Sequence, residues 1–283
     1  NGVAKSGKWS TSPGQNSWNT VTPANSDLYF NVFLGGGANT ISGYDQWSRM
    51  RIGTSGAGDA WANQVSSISV SGTIYCQTGP YLYDLNGATK SCNTTRPDPT
   101  PLSFPITDSN IDAWKALATA GGTYNNGLAI DGGEATTTGP KKIIGDLTVS
   151  GGTTLSLAGP VWVTGDIVLN GGSIIKLASS YGTHDGMIIA DGRIVTSGVA
   201  VFQCSWTSGS YIEAISTSAC PSGSCTGSSG TNNALDISGG SGSVVLFAPY
   251  GTAKVTGGAV IQSLIAYKAI LDGGSNIIYD TGL

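Results

Sequence analysis

An apolar residue, a small polar residue and two glycines recur through the C-terminal part of the chain, and no other feature limits its fold as strongly. The copies are Ile130-Asp131-Gly132-Gly133, Val149-Ser150-Gly151-Gly152, Leu169-Asn170-Gly171-Gly172, Ile237-Ser238-Gly239-Gly240, Val255-Thr256-Gly257-Gly258 and Leu271-Asp272-Gly273-Gly274. Val195-Thr196-Ser197-Gly198 is a degenerate copy. Their last glycines are separated by 19, 20, 26, 42, 18 and 16 residues. The two wide gaps hold polar insertions, at residues 179–186 and 218–233, and without them the period stays near 20. A unit of that length cannot bury an apolar face alone, whereas stacked copies close a continuous core.

Between the glycine pairs lie short alternating segments such as Leu147-Thr148-Val149, Thr154-Leu155-Ser156-Leu157, Val161-Trp162-Val163 and Ile167-Val168-Leu169. Alternation at period two turns one side of each segment inward, as in strands. A corner between two strands of one coil needs positive φ, which glycine adopts without steric cost. Gly145-Asp146 and Gly165-Asp166 mark a second corner, also 20 residues apart. These features predict an all-β fold: a right-handed, single-stranded parallel β-helix of about 20 residues per coil over 123–283. The segment Gly239-Gly240-Ser241-Gly242-Ser243 starts like a calcium-binding repeat, but Val244 stands where the ligand Asp belongs, so no metal and no cofactor are expected.

Upstream, Pro97, Pro99, Pro101 and Pro105 mark a linker. A helix is expected from Asp108 to Ala120, capped by Asp108 or Thr107, with Ile111, Trp114, Leu117 and Ala118 as its apolar stripe. Standing just before the solenoid, it is placed to cover the first coil, so that 97–122 forms linker plus capping helix. Residues 1–96 lack the period; Ile68 to Tyr75 and Leu28 to Leu34 read as strands, making this an additional β-rich region, either a small domain or irregular coils.

Charged residues make up 11% of the 283, against about 25% in ordinary soluble domains, and the net charge is −4. No run of Lys or Arg can follow a phosphate backbone, which argues against nucleic acid as a partner. No apolar run reaches about 18 residues, so this chain carries no membrane span, and it reads as a processed or truncated ectodomain. The cysteines are Cys76, Cys92, Cys204, Cys220 and Cys225, in no metal-ligand pattern. Cys76 with Cys92 and Cys220 with Cys225 are disulfide candidates that suit an oxidising exterior; pairing of Cys204 with Cys220 or Cys225 stays open, as do buried free thiols.

Several longer stretches, in order, resemble a known group. They are Arg96-Pro97-Asp98-Pro99 through Phe104-Pro105-Ile106-Thr107-Asp108 to Trp114-Lys115 and Gly121-Gly122, then Gly139-Pro140-Lys141-Lys142-Ile143-Ile144-Gly145-Asp146 and Val161-Trp162-Val163-Thr164-Gly165-Asp166. Ser179-Ser180-Tyr181-Gly182, Gly186-Met187-Ile188-Ile189-Ala190-Asp191-Gly192 and Gly209-Ser210-Tyr211-Ile212 follow. Together they resemble β-helical surface proteins of candidate-phyla bacteria, of the minor-pilin or pilus-assembly type. The resemblance covers 96–283 and implies a β-helical ectodomain carried by a membrane or pilin-like segment, with no catalytic residue.

The expected role is therefore structural or adhesive, outside the cell, with other appendage subunits or a glycan surface as partner. A glycan-binding module without chemistry is one competing expectation; the other is a carbohydrate-active enzyme, since the β-helix fold also hosts polysaccharide lyases and hydrolases. It needs paired carboxylates, and the best local set is His184-Asp185 with Asp191 and Arg193, whose simpler reading is a polar loop and a turn. Trp162 and Trp206 are candidate surface contacts, as sugar-stacking platforms or contacts to another subunit; Trp162 faces away from the core if Val161 and Val163 face it.

Overall fold

The computed structural model describes the strand pieces between residues 33 and 70, and residues 72–84, 86–96, 104–207, 209–220, 233–271 and 275–277. Every pair of strands in it is parallel, and the largest sheet has 15 strands. Successive coils add one rung to each of three ladders, the winding of a parallel β-solenoid.

The first ladder stacks Thr123–Tyr124, Lys141–Ile143, Val161–Val163, Gly186–Ala190, Ile212–Ser216 and the early parts of Val244–Thr256 and Ser263–Leu271. The second stacks Leu128–Ile130, Leu147–Val149, Ile167–Leu169, Ile194–Thr196, Leu235–Ser238 and the late parts of the same two long strands. The third stacks Ala135–Thr138, Thr154–Leu157, Ile174–Leu177, Val201–Gln203 and Ser241–Gly242. Alternate residues of all three point into one core, which includes Leu147, Val163, Ile167, Leu155, Leu157, Ile175, Phe202 and Leu246.

The glycine pairs line up along one corner. Gly151 packs over Gly132, Gly171 over Gly151 and Gly198 over Gly171, and the Gly152 and Gly172 amides donate to the Gly171 and Gly198 carbonyls at 3.0 and 2.9 Å. Gly132, Gly133, Gly151, Gly152, Gly171, Gly172, Gly239, Gly257 and Gly258 all have positive φ; Gly240 does not, and Gly273 and Gly274 lie outside the described residues. The degenerate copy sits one residue later than Val195-Thr196-Ser197-Gly198: Thr196 lies opposite Leu169, Gly198 takes the place of the first glycine over Gly171, and Val199 follows in the second with φ 59°, an unusual backbone for a β-branched residue. The Gly-Asp corner also stacks: the Asp146 carboxylate accepts the Asp166 amide, and Asp166 accepts the amide and guanidinium of Arg193.

The N-terminal strands belong to the same stack. Phe33–Leu34 and Thr40–Gly43 pair with Ser263–Leu271, so the N-terminal coils continue the solenoid beyond its C-terminal coil. Gln64–Ser66 adds to Thr40–Gly43, and Met50–Ile52, Ile68–Val70 and Leu82–Tyr83 form a ladder, as do Ala60–Trp61 and Ile74–Tyr75. Val65, Ile68, Ile74 and Leu82 share the common core. This end is closed by residues 86–96, through bridges from Asn93 to Tyr75 and, antiparallel, from Thr89 to Tyr83, and by the Cys76–Cys92 disulfide. Cys220 is also disulfide-bonded, its candidate partner Cys225 lies outside the described residues, and Cys204 is free.

The helix Asp108–Ala120 forms as its sequence indicates, with Thr107 as N-cap and a capping box closed by Asn110. It does not lie over the first coil. Ile111 and Trp114 pack on the flank of the first ladder, against Met187, Ile189, Ile215, Phe247 and Ile265. Its start is tied to the Val244–Thr256 strand by the Tyr250 hydroxyl on Asp108 and by Phe104 edge-on to Phe247, and its end meets Lys141 through the Gly121 carbonyl. Leu117, expected in the buried stripe, is 47% exposed, because the flank is flat and takes a narrower stripe than a groove would. No helix among the described residues is long and apolar enough to cross a membrane.

Candidate functional site

The three corners of a coil are unequal. Between the third ladder and the next first-ladder strand, early coils turn tightly at Gly139-Pro140 and Gly159-Pro160, where a Cβ on Gly139 would come within 2.4 Å of the Gly159 carbonyl. The next two coils replace that turn with loops, 178–185 and 204–211, and the register of Gly186 on Ile212 sets them side by side. The first contains a short 3-10 turn at Ser179–Tyr181.

The loops are bonded to each other and within themselves. The Asp185 Oδ1 accepts the Tyr211 amide at 2.7 Å, and the Ser205 hydroxyl donates to the Gly182 carbonyl. The Ser205 amide donates to the Ser210 hydroxyl at 3.1 Å, which itself donates to the Thr207 carbonyl at 3.0 Å. At the tip of this frame stands Trp206, 77% exposed and with φ 70°.

Beneath the loops lies a pair of carboxyls. Glu213 is on the outward side of Ile212–Ser216, opposite Met187. Its Oε2 is sealed from water without a hydrogen-bond partner, although the residue as a whole keeps partial exposure. Burial, and then the charge of Asp185, push its carboxyl up to about 8. Burial raises Asp185 to about 6 against the opposing effect of the Tyr211 amide, and raises the neighbouring Tyr181 to about 12. Both carboxyls are raised, so the pair resists carrying two negative charges together.

The expected quartet is split. His184 and Asp185 belong to this corner, with His184 exposed. Arg193 is 2% exposed and paired with Asp166 at 2.7 Å, in the Gly-Asp corner. Asp191 takes the Lys115 ammonium at 2.6 Å, the Trp162 indole N–H at 3.0 Å and the Thr217 hydroxyl at 3.2 Å. Trp162 does face outward, but it lies in the helix contact, with Lys142 at 4.0 Å and Lys115 at 5.3 Å from its ring centroid. Of the two candidate tryptophans, Trp206 is exposed and Trp162 is half-buried. Glu213 was missed from sequence, and its signal was its rarity: one of two glutamates in the chain, set in the apolar run Ile212-Glu213-Ala214-Ile215.

No family model, curated protein or solved structure matches this chain.

Proposed function

We propose that the chain is the extracellular, non-catalytic structural and adhesive part of a cell-surface appendage, of pilin-like or minor-pilin-like type, wound as a right-handed parallel β-helix. The hand follows from the strong preference of parallel crossovers for right-handed connection. The observation that carries the functional reading is the inequality of the two ends of the stack. One is closed by residues 86–96 and a disulfide. At the other, Thr123–Tyr124, Leu128–Ile130 and Ala135–Thr138 have no outer strand partner among the described residues, and Tyr124, Ala129, Ala135 and Thr137 are exposed.

An open edge of three strands is a liability for a free protein and a ready contact for a neighbouring subunit. A closed, disulfide-stapled end suits the tip that meets the outside, where oxidising conditions keep the bridge. The resemblance of 96–283 to minor-pilin-type surface proteins points the same way. The partners in this reading are other appendage subunits, further copies of the chain, or a glycan on a host surface. Antibody labelling of intact source cells, with fractionation of sheared appendages, tests it; recovery of the protein from the cytosol alone overturns it.

The Asp185–Glu213 pair favours a second reading, a carbohydrate-active β-helix, in which Glu213 would act as the acid. Incubation with a panel of acidic and neutral polysaccharides decides this one: it requires new chain ends from the wild type and none from Glu213→Gln.

A further inference from the structure

We propose that the double-loop corner is a saccharide-binding site, in which the Trp206 indole stacks on the apolar face of a neutral pyranose and Thr183, His184 and Thr207 meet its hydroxyl rim. The proposal rests on the adhesive reading and assigns it a ligand class and a place. Three observations carry it. Trp206 is the most exposed large apolar side chain among the described residues, at 77%. Its backbone sits at φ 70°, a conformation that bulky residues avoid, so the loop holds the indole outward against a local preference. The frame beneath is rigid: Ser205 and Ser210, both buried, bond to each other and to the Gly182 and Thr207 carbonyls, and Asp185 pins the Tyr211 amide.

The surroundings select the ligand. Thr183, His184 and Thr207 are exposed and polar, and the two loops offer no second exposed large apolar side chain. A protein hot spot needs a wider, water-excluding apolar surround than one ring with a hydroxyl and imidazole rim provides. Nucleobases also stack on indoles, but a nucleic acid brings phosphates, and neither 178–185 nor 204–211 contains Lys or Arg. A pyranose has one planar apolar face and a rim of hydroxyls, which matches what the corner presents.

The test is titration of the purified chain with cellohexaose, chitohexaose and a β-1,3-glucan hexamer, followed by tryptophan fluorescence and calorimetry. At least one probe is expected to bind. Trp206→Ala should weaken that binding by about tenfold or more, Trp206→Phe should keep most of it, and Tyr81→Ala should leave it unchanged. Tyr81 is the fitting control because it is likewise an exposed aromatic, at φ 59°. Trp206→Gly, which removes ring and strain together, should abolish binding while leaving the melting temperature unchanged or higher, so loss of binding cannot be laid to misfolding. No binding of any probe by the wild type, or equal affinity of Trp206→Ala, overturns the proposal. Neither result alters the outcome of surface labelling, so the two readings fall separately.

Discussion

Alanine at two glycines separates the two demands that the corners make on the backbone. Gly152 has φ 74° and open space where a Cβ would stand, so Gly152→Ala meets only the left-handed penalty, about 1–2 kcal/mol. Gly152→Asn should cost less, because Asn tolerates that region. Gly165 is the converse: its φ is ordinary, but an added Cβ would lie 2.8 Å from the backbone C and O of Gly145 and 2.1 Å from the Asp146 Oδ1. The rung must open, and the Asp146 carboxylate must leave the Asp166 amide it holds at 2.8 Å. Overpacking of about 1–3 kcal/mol and loss of a charge-assisted hydrogen bond of about 1.5–3 kcal/mol together give roughly 3–5 kcal/mol. At about 2 °C per kcal/mol, Gly165→Ala should lower the melting temperature by roughly 6–10 °C and Gly152→Ala by roughly 2–4 °C. Because contacts run between neighbouring coils, amide exchange should rise first in the coils around residues 145–167. Equal melting temperatures for the two alanine variants, or a Gly152→Asn variant no better than Gly152→Ala, would refute the stacked-corner argument.

Val199→Gly relieves a β-branched residue held at φ 59° and 67% exposed, and should stabilise by about 1 kcal/mol in urea titration; a loss of stability there would contradict the strain. Arg193→Ala leaves the Asp166 carboxylate buried without its guanidinium, and should cost about 3–5 kcal/mol at neutral pH, with part of the loss recovered when Asp166→Asn is added. Glu213 binds its proton more tightly folded (about 8) than at its ordinary value of 4.5, so the folded state carries the extra proton between those limits. Its contribution to stability should therefore decline as pH rises from about 4.5 toward about 8, by at most about 1.4 kcal/mol per pH unit, and level off above, while Asp185, raised to about 6, adds a decline of the same sign below pH 6. Glu213→Gln should flatten the part of that slope above pH 6, which lies beyond the titration of Asp185; an unchanged slope in melting temperature against pH counts against a buried acid at this position.

The coils of residues 123–271 were readable because their requirements are local. Positive φ at Gly132, Gly151 and Gly171 is written into each tetrapeptide, and alternation in Thr154–Leu157 or Val161–Val163 states which side is buried. The N-terminal coils have no such signature. Their strands are short, as in Ile74–Tyr75 and Leu82–Tyr83, and the pairing that places them, Phe33 on Ile265 and Ile41 on Ala269, is set by contacts far apart in sequence. The same limit hid the double-loop corner. The insertion at 179–186 shows as a break in the period, but the wide gap from 198 to 240 reads as the insertion 218–233, which hides the loop 204–211, and the side-by-side placement of the two loops depends on the register of Gly186 on Ile212. The apolar stripe of the helix stated that one face is buried and left its partner unspecified. The missing half of that statement was in Met187-Ile188-Ile189-Ala190, apolar without alternation and buried throughout Gly186–Ala190, as in a strand covered on both faces.

A helix in a β-solenoid has a geometric purpose once spatial order is set beside sequence order. Along the stack the coils run from residue 123 to 271 and then from 33 to 93, so the chain leaving Arg96 is at the wrong end to begin at Thr123 and must return along the outside. Returning as a strand would expose a further edge; a helix satisfies its own backbone and offers an apolar stripe to the flank. Its length fits the journey. Thirteen residues rise about 20 Å, and the four rungs from Lys141–Ile143 to Val244–Phe247 span about 19 Å at ladder spacing. Tyr250 and Phe247 hold one end of it and Lys141 the other. In a stack whose coils touch only their neighbours, this strap links coils that are otherwise independent. It couples the coil at Lys141 to the coil at Phe247 and Tyr250 without adding a strand to the open edge.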